Sequence, residues 1–123
     1  ALLEAATISV EFEGIPQGIE LLREAKTGSR TPDLRSLVSM RLGGLLEAAG
    51  ELTAAGEEYL LASANESFPA RFEALGEAAR CFAEAGDEQQ AVALFSKLET
   101  ESPGFQLLPH VRHRLQLITS KLQ

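Results

Sequence analysis

Residues 45–59 read LLEAAGELTAAGEEY and residues 81–95 read CFAEAGDEQQAVALF. In both, Ala-Gly interrupts an apolar stretch. An alanine follows five residues after the glycine, and an aromatic follows four after that. Gly14, Gly50 and Gly86 stand 36 residues apart. Around the last two the agreement spreads: Ala49 matches Ala85, Ala55 matches Ala91, and Tyr59 matches Phe95. The first copy, EFEGIPQGIELLREA, aligns only with a turn one residue shorter, which puts Gly18 at the alanine place and Leu22 at the aromatic place. An internal period of this length marks a chain built from one small supersecondary unit. Such a unit cannot bury its apolar surface alone and needs neighbours stacked on it.

The unit is helical. Leu34, Leu37, Val38, Leu42, Leu45 and Leu46 recur at intervals of three and four, which places them on one stripe of an α-helix. Thr31-Pro32-Asp33 predicts its start: a hydroxyl cap, a proline where no N–H is needed, and an acid at the positive end of the helix dipole. Gly50 predicts its stop, because glycine adopts the left-handed conformation that ends a helix. Further stripes follow at Leu52, Ala55, Tyr59 and Ala62, then at Phe68, Phe72, Leu75, Ala79 and Phe82, ended by Gly86. Ala91, Phe95 and Leu98 form the next, ended near Pro103-Gly104, and Leu108, Val111, Leu115, Ile118 and Leu122 form the last. ISVEFE, residues 8–13, alternates like a strand, but a single strand has no partner here and helical spacing also fits, so helix is expected. The prediction is an all-α domain over residues 1–123 with roughly seven helices in antiparallel pairs. A degraded repeat covers about 1–31, repeats cover about 32–68 and 69–104, and a capping helix covers about 107–122. Gly43 with Ala55, and Ala79 with Ala91, are expected where the helices of each pair cross.

Bulk properties bound the function. The chain has 123 residues, one cysteine and a net charge of -7. Residues 43–101 hold 12 acids and 3 bases, while residues 102–123 hold 3 bases and no acid. Nucleic acid needs a basic track, so it is not an expected partner. No apolar run approaches the roughly 20 residues of a membrane helix, so no membrane contact by this segment is expected. The opening ALLEAA reads as the inside of a helix, so a fragment or processed form is expected, with any targeting segment or anchor upstream.

These residues resemble the tetratricopeptide repeat. Over about 72–105, Leu75, Ala78, Ala79, Phe82, Gly86, Ala91, Phe95 and Pro103 fall on that family's signature places, with Leu98 where alanine is commonest. Over about 36–69, Val38, Leu42, Gly43, Leu46, Gly50, Ala55, Tyr59 and Ala62 do the same, with Ser67 in place of proline. Residues 1–31 match poorly. The resemblance implies a short right-handed superhelix of stacked helix pairs with a C-terminal capping helix, and a non-enzymatic module that binds a partner peptide or helix on its concave face. It implies groove positions at Leu37, Met40, Gly44 and Glu47 in one copy and at Glu73, Gly76, Arg80 and Ala83 in the other. Leu37 and Met40 would then give apolar contact, with Glu47, Glu73 and Arg80 setting register. The lysine and asparagine clamp of chaperone-binding members is absent apart from Arg80. Met40→Glu is the substitution expected to weaken binding while leaving helicity intact. Stretches such as LRSLVSMRLGGLLEAAGE and LLPHVRHRLQLI also look like a bacterial subgroup of membrane-anchored periplasmic repeat proteins that associate with the secretion translocon. That resemblance implies a tethered periplasmic protein; the cytoplasm is the alternative.

Candidate chemistry is sparse. His110 and His113 lie three apart, on one face of the last helix, but no further metal ligand stands nearby in sequence, so two surface histidines are expected. Cys81 lies in mid-helix beside Phe82, where a small buried hydrophobe is expected rather than a nucleophile. No phosphate loop, nucleophile elbow or protease signature occurs, and no cofactor is expected. Three alternatives stand beside the interaction module. One is a scaffold whose repeat ends stack on another copy. Another is an enzyme using His110, His113 or Cys81. The third is a groove already filled by the chain's own last helix.

Overall fold

The computed structural model describes residues 14–122, which form six α-helices and no strand. They are α1 (Ile15–Thr27), α2 (Pro32–Ala48), α3 (Leu52–Ser63), α4 (Arg71–Glu84), α5 (Glu88–Glu101) and α6 (Pro109–Leu122). The expected helix over ISVEFE lies outside the described residues.

The helix ends follow local chemistry. The Thr31 hydroxyl accepts a hydrogen bond from the Leu34 N–H at 3.1 Å, and Pro32 opens α2. The Asp87 carboxylate accepts from the Gln90 N–H at 3.3 Å and starts α5. Gly50 and Gly86 both have positive φ, 82° and 89°. Their closing hydrogen bonds match residue for residue. Gly50 N–H donates to the Glu47 carbonyl and Glu51 N–H to the Leu46 carbonyl, each at 2.9 Å. Gly86 N–H donates to Ala83 at 3.2 Å and Asp87 N–H to Phe82 at 2.9 Å. These are paired Schellman caps, in which a left-handed residue lets two N–H groups satisfy the last orphan carbonyls of the helix. The sequence repeats at the turns because the turns repeat. Gly14 also has positive φ, 98°, but there it precedes α1 rather than closing a described helix.

Each helix packs on the next and runs back along it. Asp33 and Ser36 of α2 meet Asn65 beyond α3, whereas Glu47 near the end of α2 meets Tyr59. Arg71 at the start of α4 faces Glu101 at the end of α5, and Glu88 at the start of α5 faces Lys121 at the end of α6. One apolar core threads all six helices, from Leu22 through Leu42, Leu75 and Phe95 to Leu115. A smaller cluster joins Ala62, Phe68 and Ala74, with Leu37 and Met40 packed against it. Phe68, expected on a helix, is buried in the α3–α4 link instead.

Mid-helix glycines set how closely these helices approach. A Cβ on Gly43 would stand 3.0–3.1 Å from the Tyr59 ring, and one on Gly56 would stand 2.9–3.1 Å from the Phe82 ring. The first contact closes α2 on α3, and the second closes α3 on α4. Ala55, Ala79 and Ala91, expected at crossings, are fully buried. A bulkier residue at such a place overpacks the contact.

Candidate functional site

The eight expected groove positions lie on α2 and α4, which meet through the expected groove residues Glu47 and Arg80. Arg80 grips the Glu47 carboxylate with both terminal nitrogens, each at 2.7 Å, the planar two-point geometry that guanidinium and carboxylate share. The same guanidinium also bonds Glu77 and reaches Glu84 at 3.3 Å. Tyr59 donates its hydroxyl to Glu47 at 3.3 Å, and the Cys81 thiol lies 3.8 Å from the same oxygen. The Arg80 hydrogen bonds hold the Glu47 carboxyl below the usual carboxylate range against the opposing effect of burial. Burial, with the Glu47 charge beside it, pushes the Tyr59 hydroxyl up. The bond to Glu47 raises Arg80 still further. Two of the three charges expected to set a partner's register, Glu47 and Arg80, are therefore bonded to each other. Glu73 is the third such charge, and it is exposed.

Along α2 the face is open in part. Leu37 and Met40 are half-buried and Gly44 is exposed. Leu34, expected on the apolar stripe of this helix, is exposed, and so is Arg41, which was not singled out from sequence. Their spacing of three and seven from Leu34 to Leu37 and Arg41 was the available signal. Met40 packs against both apolar clusters, so Met40→Glu would strike the core as well as the groove. It is the wrong probe, and Gly44 is the right one: among the described residues a Cβ there meets only the Tyr59 hydroxyl, at an ordinary 3.6 Å.

Along α4 the face is closed at Gly76 and Ala83. A Cβ on Gly76 would lie 2.7 Å from a Leu107 methyl and 3.9 Å from the Phe105 ring, both in the link before α6. Ala83 is 3% exposed, and its carbonyl accepts from Arg114 of α6 at 3.3 Å. Gly76 and Ala83 are thus covered by the chain itself. Leu107 of the link lies over Gly76 and Arg114 of the last helix reaches Ala83, and among the described residues nothing comparable lies over Gly44.

The other candidates are plainly placed. His110 and His113 are exposed, and no three potential metal-ligating side chains come together among the described residues. Cys81 is fully buried, and burial first, then the Glu47 carboxylate, pushes its thiol up to about 12. Lys26 of α1 holds Glu58 of α3 through both carboxylate oxygens, one at 2.8 Å. Glu58 is only 6% exposed, so this pair is a joint between helices. Among the described residues no helix is long and apolar enough to cross a membrane. Comparison of the chain with family models, with curated proteins and with solved structures gave no match.

Proposed function

We propose that this chain is a protein-interaction module of the tetratricopeptide type, with antiparallel helix pairs stacked as a short superhelix and α6 as its cap. Its partner-binding surface is the α2 face around Leu37, Met40 and Gly44, extended by Leu34 and bordered by Glu73. The observation that carries this reading is the asymmetry just described. The matched face of α4 is covered by Leu107, and that of α2 is left open with apolar side chains half-exposed. Such a strip suits an amphipathic helix or an extended segment that brings apolar side chains to Leu37 and Met40 and a basic one to Glu73. The 36-residue match of the two Schellman caps supports the repeat architecture.

The test selects peptides from a random displayed library on the purified chain and maps them by amide chemical shifts. The expected shifts fall at residues 34–44, and Gly44→Arg lowers affinity at least about tenfold with circular dichroism unchanged. Selected peptides that shift other residues and bind Gly44→Arg equally well reject the surface. A second reading, self-association, draws on the exposed Leu108, Leu117 and Leu122 of the C-terminal segment. Sedimentation over a range of concentrations separates the two.

A further inference from the structure

Two of the six described helices carry charge of a single sign. Helices α1, α2, α4 and α5 each hold both acids and bases. Helix α3 holds Glu57 and Glu58 and neither Lys nor Arg. Helix α6 holds Arg112, Arg114 and Lys121, with His110 and His113, and neither Asp nor Glu. The same two helices carry Leu61 and Leu117, each 58% exposed, the most exposed large apolar side chains within any described helix.

On each helix the leucine and the charge share one outward stripe. At roughly 100° per residue, Thr53, Glu57 and Leu61 fall within an arc of about 80° on α3. All three are exposed. Glu58 points the other way and is held by Lys26. On α6, His113, Arg114, Leu117 and Lys121 fall within an arc of about 100°. All four are exposed, on the side away from the buried Val111, Leu115 and Ile118. Lys121 spends its charge on Glu88 at 2.8 Å. Arg114 gives one hydrogen bond, to the Ala83 carbonyl, which leaves most of its five donors.

A leucine flanked by bases is completed by an apolar group flanked by acid. A second α6 does not supply one, because face to face it would set base against base. Helix α3 does, with Leu61 one turn from Glu57. Lys26 and Arg35 lie beside Leu61 on its α2 side, which directs a basic helix toward Glu57 instead. Within one copy α6 packs on α5 and α4, so its meeting with α3 joins two copies. We infer that the outward face of α6 docks on the outward face of α3 in a second copy, with Leu117 against Leu61 and Arg114 beside Glu57. This rests on the self-association reading given above and names its two surfaces. The contact is heterologous, so it runs head to tail and continues unless the rotation closes a ring. One helix on one helix is a small contact of the transient class, with an expected Kd of about 100 µM. The net charge of -7 repels copies at longer range. Salt at about 0.15 M shortens that reach to about 8 Å and leaves the contact charges to decide.

The test is sedimentation velocity of the chain in that salt, from about 10 µM to about 1 mM. The wild-type sedimentation coefficient rises across the range and passes that of a dimer. Leu61→Arg and Leu117→Glu, both at exposed positions, keep the melting curve and each weaken association at least about tenfold. Mixed in equal amounts they associate again, because one keeps its α6 face and the other its α3 face, and the mixture stops at a one-to-one dimer. A wild type still monomeric at the highest concentration overturns the inference and the self-association reading together. Association that survives Leu61→Arg, or a mixture that does not rejoin, overturns the α6–α3 contact and leaves self-association to another surface. None of these results bears on the α2 surface, which is read by selected peptides at residues 34–44.

Discussion

Helices α2 and α4 close in the same way and present different faces outward. Each closes on a positive-φ glycine with the same two hydrogen bonds, and each is crossed by a small residue, Gly43 or Ala79. Their outward positions share nothing. Leu37, Met40, Gly44 and Glu47 on α2 stand where α4 has Glu73, Gly76, Arg80 and Ala83. A turn or a crossing tolerates few residues, because backbone conformation and interhelical distance decide what fits. An outward position answers only to whatever is laid over it. Gly76 lies under Leu107, and among the described residues Gly44 lies under nothing beyond the edge of Tyr59.

Four substitutions test how deep the equivalence goes. The turns come first. Gly50→Ala and Gly86→Ala each force a side chain into the left-handed region, at a cost of about 1–2 kcal/mol. A Cβ meets nothing within 4 Å at either site, so the strain is conformational and the two costs agree. Urea unfolding of both single variants checks this, and unequal losses would break the match between the turns. The groove glycines come next, with opposite signs. Gly44→Ala stabilises by up to about 1 kcal/mol, since glycine is a poor helix residue and the site is open. Gly76→Ala destabilises by about 1 kcal/mol, because Leu107 must move. If both variants stabilise, the α4 face is not closed.

The smallest effect concerns the bond that joins the two faces. Glu47 has a depressed folded pKa, so its contribution is complete above the unfolded value and is lost as pH falls through the folded one. Solvent still screens this pair, so the loss is about 0.5–1 kcal/mol. Glu47→Gln removes that part of the acid sensitivity below about pH 4.5, where wild type and variant converge. Parallel stability curves from pH 7 to pH 3 would show that the Arg80 contacts do not stabilise the fold.

Much of the helical layout was legible in the sequence, because it is written in local chemistry. Gly50 and Gly86 marked the bends, Thr31-Pro32-Asp33 marked a start, and the three-four stripes named Leu42, Tyr59, Phe82 and Leu115 as core. Phe68 escaped because it continues the stripe by eye while Pro69 interrupts the helix. The covering of Gly76 and the mutual capture of Glu47 and Arg80 were not legible. Both depend on which side chain meets which across at least 29 positions of chain, and no local period carries that information. Gly56 shows the same limit. From sequence it reads as a weak spot in a helix, and in the fold it makes room for a phenylalanine ring.

The identity of the two Schellman caps also fixes how such a chain can change in length. A cut after Gly50 and a splice to Asp87 would join backbones already carrying the same dihedral and the same bonds. A splice of that length would leave the cap's two hydrogen bonds in register.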